Sequence, residues 1–171
     1  MSVRALGVLC ALVISALLAG CAGSPGAQAP PSTSAAQQAF VARVDAVCQQ
    51  ALDSHRGHAF PVPGFDPNNP GRQQLPAVGR YLSRYGHLAQ TVTALRSLRP
   101  PADEASGWHH FLALANLALA NSRRQIAAAD SRDVPGFVAT VRVVDHLAPR
   151  LNAAGAAFGF RSGSSCEQVF G

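Results

Sequence analysis

The sequence predicts an all-α fold: an antiparallel four-helix bundle with a long Pro-rich loop between its first and second helices and a C-terminal tail disulfide-linked to the first helix. Three observations predict it. Apolar residues recur at three- and four-residue steps in four stretches, the pattern of helices with one buried face. Clusters of Pro, Gly and Asp separate the stretches, and two of the connections are short enough to set neighbouring helices antiparallel. One cysteine, Cys48, lies in the first stretch, and another, Cys166, lies in the tail.

Ahead of the helices, Arg4 precedes an apolar run from Ala5 to Leu18, which Leu18-Ala19-Gly20-Cys21 closes. A positive start, an apolar core of about 7 to 15 residues and small residues before a cut make a secretory signal. With a cysteine next, the pattern is that of a bacterial lipoprotein signal. The expectation is cleavage after Gly20, so that residues 1–20 leave and the Cys21 thiol carries a diacylglyceryl group. The competing reading is a plain signal cut elsewhere, with Cys21 an incidental thiol. The run is shorter than the roughly 20 apolar residues that cross a bilayer. Two acyl chains hold a protein durably where one is marginal. The membrane is therefore the first expected partner, and the extracytoplasmic face of the cell membrane the expected location. Residues 21–33, rich in Gly, Pro, Ala and Ser, read as a flexible tether, and residues 34–171 as the helical domain.

Ser34-Ala35-Ala36-Gln37 has the spacing of a capping box and starts the first helix. Phe40, Val44, Val47, Cys48 and Ala51 share one face, which points Cys48 into the core. Gly57 ends this helix, and the span to Arg72, with Pro61, Pro63, Pro67 and Pro70, is irregular. A second helix is expected from about Leu75 to Leu98, because Pro76 is tolerated in a first turn and Pro100-Pro101 forbids continuation. Its expected inner stripe is Val78, Leu82, Tyr85, Ala89 and Val92, with Arg80, Arg84, His87 and Thr91 outside.

The third helix begins near Asp103-Glu104, whose carboxylates suit the positive end of the helix dipole. Trp108, Leu112, Ala115, Leu119 and Ile126 form its stripe, and Leu114 with Leu117 adds a second strip that predicts contact from two sides. Asp130 to Asp133 is a turn, with Asp133 placed to cap the fourth helix. That helix carries Phe137, Val141, Val144, Leu147, Leu151, Ala154 and Phe158, and Pro149 removes one of its backbone bonds and should kink it. In up-down-up-down order its end lies beside Ser34, and the tail is expected to run back, extended, along the bundle to Cys48.

Export sorts the four cysteines: Cys10 leaves with the signal, Cys21 takes lipid, and Cys48 and Cys166 remain to pair in an oxidising compartment. Closing a loop on the order of 100 residues is worth about 4 to 5 kcal/mol in the chain-entropy account, often less in practice. All 14 cationic side chains are Arg, and loss of Arg4 removes one unit from the formal net charge of +5. The absence of lysine excludes a Walker-type phosphate loop, a Schiff-base lysine and a Ser-x-x-Lys acylase. Glu104 and Glu167 are too few for a di-iron bundle, and Gly-x-Ser-x-Gly is absent. The chain reads as no enzyme, with no cofactor. Export also removes it from nucleic acid.

The string Phe40-Val41-Ala42-Arg43-Val44-Asp45-Ala46-Val47-Cys48, the break Leu98-Arg99-Pro100-Pro101-Ala102, the Ala-rich third helix ending near Asp130, and Phe158-Gly159-Phe160 leading to Cys166 resemble a group of small exported actinobacterial helical proteins, mycobacterial-type lipoproteins among them. The resemblance covers most of residues 38–167. It implies export, a helical fold and the pairing of Cys48 with Cys166, and it carries over no active site. Against that pattern the Pro-rich connection after Gly57 is expanded, which makes it the place to look for properties individual to this chain.

The remaining candidates are contact residues. Phe60 and Phe65 sit among prolines, where they either fold over the bundle end or present an apolar patch. Arg80-Tyr81 and Arg84-Tyr85 repeat after one turn, giving either a strip for lipid phosphates or a solvated face whose arginine stems cover the rings. Asn116 suits a pocket or, more simply, a satisfied helix seam. His55 and His58 stand three apart and His109-His110 adjacent, but no zinc-ligand spacing exists, so no metal site is expected; bis-histidine haem or metal binding is the weakest alternative. The leading expectation is a noncatalytic lipoprotein that offers a surface to another envelope protein. The runner-up is a carrier of a small apolar ligand held between the helices. A filled core with Phe60 and Phe65 exposed would favour docking, and a dry interior pocket of more than roughly a few hundred cubic ångströms would favour the carrier.

Overall fold

The structure is a computed structural model that describes residues 34–170, except for the side chain of His55. The expected signal (1–20), the tether (21–33) and the lipidation residue Cys21 lie outside the described residues. Helix α1 (Ala35–His55) starts where the Ser34 hydroxyl accepts the Gln37 amide at 3.1 Å. The capping box is only half formed, because the Gln37 side chain donates instead to the carbonyl of Phe158 at 2.9 Å. That bond ties the start of α1 to the end of the last long helix.

The single second helix expected over 75–98 is two helices, α2 (Leu75–Tyr85) and α3 (Leu88–Ser97). Gly86 makes the break: its amide donates to the Leu82 carbonyl at 2.7 Å, and its ψ of 79 leaves the helical region. A Cβ at this position would lie 2.2 Å from the Leu82 oxygen, so the turn needs glycine. Because α3 restarts with a new rotation, the expected stripe is corrected within it. Thr91, assigned to the outside, is buried with its hydroxyl on the His87 carbonyl at 3.0 Å, and Ala89, assigned to the inside, is exposed.

A 3₁₀ turn (Ala102–Glu104) leads into α4 (Ala105–Asp130), and the Asp133 carboxylate, accepting the Gly136 amide at 3.0 Å, caps α5 (Val134–Phe158), which continues through Pro149. α4 and α5 form an antiparallel hairpin, closed at its open end by Trp108 against Phe158, ring centroids 5.6 Å apart. Leu114 is buried but Leu117 is 53% exposed, so Leu117 does not belong to the expected second strip of α4. The tail also differs from its extended expectation. It turns after Gly159 and ends in a short helix, α6 (Ser165–Phe170), packed between α1 and α5. α6 carries Cys166 to Cys48 with their Cα atoms 4.9 Å apart, bridging 118 residues of chain.

Two cores are strung along the α4–α5 hairpin. The larger gathers α1, α3, α6 and the open end of the hairpin around Phe40, Trp108, Phe111, Phe158 and Phe170, whose rings meet mostly edge to face at 5.0 to 5.8 Å. Each such pair adds about 0.5–1.5 kcal/mol to plain burial. The smaller lies at the turn of the hairpin, where α2 and the Pro-rich loop cover Ala128, Ala129 and Phe137 with Leu75, Val78, Val62 and Phe65. Among the described residues there is no strand, and no helix is long and apolar enough to cross a membrane.

Candidate functional site

The Pro-rich loop builds its own shape before it packs. Four prolines remove backbone donors and restrict their neighbours, so the remaining amides find local acceptors. Phe65 N–H reaches the Val62 carbonyl at 3.3 Å, with Gly64 between them at a φ of +67. The Asp66 carboxylate accepts the Asn68 amide at 2.9 Å in an Asx turn over Pro67. The Gln74 side chain accepts the Gly71 amide at 2.9 Å, and Pro70 is buried, which leads the chain into α2.

This geometry separates Phe60 from Phe65. Phe65 is half-buried with its ring edge-on to Phe137 at 5.9 Å, the lid-like placement over the hairpin's turn. Phe60 stays 40% exposed. The two rings are 5.5 Å apart, and Phe60 continues to Tyr81 at 5.1 Å, Tyr81 to Tyr85 at 5.2 Å, and Tyr85 to His58 in a stack at 4.1 Å. The result is a row of rings running from the smaller core out along α2, fastened where the Tyr81 hydroxyl donates to the His58 carbonyl at 3.3 Å.

Arg80 and Arg84 flank this row and are both exposed. The Arg84 guanidinium stands over the Tyr85 ring, 5.7 Å from its centre, within the range of a cation–π contact. Neither arginine makes an ion pair with a described carboxylate; the ion pair found is Arg56 with Asp53. The row therefore offers apolar ring faces edged by two cations with no carboxylate partner among the described residues.

The other candidates fall elsewhere. Asn116 accepts a hydrogen bond from Arg96, which makes it a satisfied seam residue. His58 is occupied by Tyr85, and among the described residues no three His, Cys, Asp or Glu side chains converge as a metal site would require. Sequence reasoning passed over Asn121. It is 1% exposed, its amide nitrogen donates to the Thr140 carbonyl at 2.9 Å, and its Oδ1 meets no donor among the described residues. A signal for it existed: Asn121 follows Leu114 by two helical turns and so shares the buried strip. No family model, no curated protein and no solved structure matches this chain.

Proposed function

We propose that this protein is a noncatalytic lipoprotein of the cell envelope whose helical domain docks another envelope protein through the ring row of α2 and the Pro-rich loop. In this reading Cys21 carries the lipid, residues 22–33 give reach from the extracytoplasmic face of the cell membrane, and the domain is an antiparallel four-helix bundle in which α2 and α3 together make the second rod. The resemblance to exported actinobacterial lipoproteins points the same way.

One observation carries the docking reading. Aromatic rings and arginines are the side chains enriched where proteins bind one another, because they bury much area at low entropic cost and pair with carboxylates in fixed geometry. Here Phe60, Tyr81 and Tyr85 stand together, with Arg80 and Arg84 beside them and no ion pair to either arginine among the described residues. The partner that fits is a protein surface with an apolar patch rimmed by carboxylates.

The test places a photo-crosslinking phenylalanine analogue at position 60 of the full-length protein in its native envelope. A discrete protein adduct that disappears with Arg80→Glu and Arg84→Glu is expected. Adducts to lipid alone, or protein adducts indifferent to charge reversal, overturn it.

A further inference from the structure

The α4–α5 hairpin has a covered side and a bare one. On the first, Leu88 of α3 and Phe170 of α6 stand across a cleft from Ala118 and Ala148. On the second, Arg124 and Ala127 of α4 and Ala139 and Val143 of α5 line an open groove to which no other helix contributes. Leu117 extends this side, since it precedes Arg124 by two helical turns. The bond from Asn121 to the Thr140 carbonyl sets the antiparallel register and puts Leu117 level with Val143. These two are the large apolar side chains that stand exposed outside the ring row among the described residues, at 53% and 37%.

Three cations share the bare side. Arg150 follows Val143 by two turns, Arg142 flanks Val143, and Arg124 lines the groove; all three are exposed, and none makes an ion pair among the described residues. Two carboxylates come near. Asp133 is taken up in capping α5, where it accepts the Gly136 amide, and Asp145 stands about 160° around α5 from Val143. The side therefore presents positive charge around two isolated apolar side chains. None of its exposed residues is Phe, Tyr or Trp, the rings that anchor protein interfaces. Mobile anionic headgroups, in contrast, meet arginines wherever they stand, and a leucine and a valine need only the shallow depth between headgroups.

We propose that the bare side of the α4–α5 hairpin lies on an anionic phospholipid surface, with Arg124, Arg142 and Arg150 among the headgroups and Leu117 and Val143 entering between them. The proposal goes beyond the docking reading and rests on the lipid anchor only for bringing the domain to a bilayer. It is compatible with docking: Ala129, about 140° around α4 from Arg124, faces Gly79 of α2, so a domain lying this way keeps the ring row clear of the bilayer.

The experiment places a photo-crosslinking phenylalanine analogue at position 117, 143 or, as a control on the exposed side of α2, 83 of the full-length protein. Each purified protein is illuminated with vesicles of phosphatidylcholine alone and of phosphatidylcholine and phosphatidylglycerol in equal parts, and lipid adducts are measured by mass spectrometry. Each arginine at an anionic surface strengthens binding by roughly fivefold. Adducts at 117 and 143 should therefore exceed those at 83, and those on phosphatidylcholine alone, by roughly tenfold or more. The triple reversal Arg124→Glu, Arg142→Glu and Arg150→Glu should remove this excess, whereas Arg80→Glu with Arg84→Glu should leave it. Yields at 117 and 143 no higher than at 83, equal yields on the two kinds of vesicle, or yields indifferent to the triple reversal overturn the proposal. So do adducts to protein in place of lipid when the analogues are illuminated in the native envelope. If Cys21 proves unacylated, the anchor reading fails, and the comparison between positions and between vesicles still decides this one.

Discussion

Asp45, halfway along α1, accepts the backbone amide of Ser165 at 2.9 Å across 120 residues of sequence, and Gln49 one turn later accepts the Ser165 hydroxyl at 2.8 Å. These two bonds seat the first residue of α6 directly before the disulfide. The tail thus has two ties to α1, the polar pair and the bridge, and a third to α4, where the Phe170 ring meets Phe111. Replacing Cys48 and Cys166 together with alanine should lower the unfolding free energy by about 2–4 kcal/mol, read by urea denaturation. Unchanged stability would show that the bridge restrains little. Asp45→Asn keeps an acceptor and should be near neutral, whereas Asp45→Ala, losing a bond to a charged group, should cost about 1–2 kcal/mol.

Gly155 tests the aromatic core from another side. α5 ends in a Schellman arrangement, with Phe160 N–H on the Gly155 carbonyl at 2.9 Å, Gly159 N–H on the Ala156 carbonyl at 3.0 Å, and Gly159 at a φ of +106. The Phe160 ring folds back over Gly155, where a Cβ would stand 2.7 Å from it. Alanine there gains up to about 1 kcal/mol of helix propensity but forces the ring off Phe111 and Phe158, a displacement of the overpacking kind that costs about 1–3 kcal/mol. Gly155→Ala should therefore be net destabilising in thermal unfolding, against the usual sign of a helical glycine replacement.

What the sequence made legible was governed by local chemistry. The cap at Ser34, the stop at Pro100-Pro101, the cap at Asp133 and the buried face of α1 are each decided within about one helical turn, and each appears in the structure. The break at Gly86 was not legible, because a lone glycine in a periodic stretch is also compatible with an unbroken helix at a cost of about 1 kcal/mol, and only packing against α4 selects the turn. α6 was overlooked although Ser164-Ser165-Cys166-Glu167 has capping-box spacing; Ser164 Oγ accepts the Glu167 amide and Glu167 accepts from Gly163. At the candidate site, the pairing of Arg80-Tyr81 with Arg84-Tyr85 was readable from helical spacing. The addition of His58 and Phe60 to that row was not, since it depends on the path of a loop without periodicity.

Phe60 and Phe65 should separate stability from docking. Phe65→Ala removes a half-buried ring packed on Phe137 and should lower the unfolding free energy by about 2 kcal/mol, below the cost of about 3–5 kcal/mol for a fully buried phenylalanine. Phe60→Ala should cost less than about 1 kcal/mol, since much of the ring already faces water, yet it should weaken any complex formed through the ring row. Equal losses of stability would place both rings in the core and remove the docking face.

The anchor has a direct assay. Cells fed labelled palmitate should label this polypeptide, and Cys21→Ala should abolish the label and release the protein from the membrane fraction or leave it uncleaved. Membrane retention without the label would detach the lipid from the function proposed above.

Asn121→Leu offers a stability measurement whose sign is informative. Loss of the nitrogen harms Thr140 little, because that carbonyl lies within α5, where the amide four residues on serves as its helical partner. Loss of the unpartnered oxygen recovers part of a penalty of about 1–3 kcal/mol, and leucine is the better helix former by some tenths of a kcal/mol. The substitution should therefore raise the unfolding free energy by about 1 kcal/mol. A destabilised Asn121→Leu protein would instead make the bond to Thr140 a structural clasp between α4 and α5.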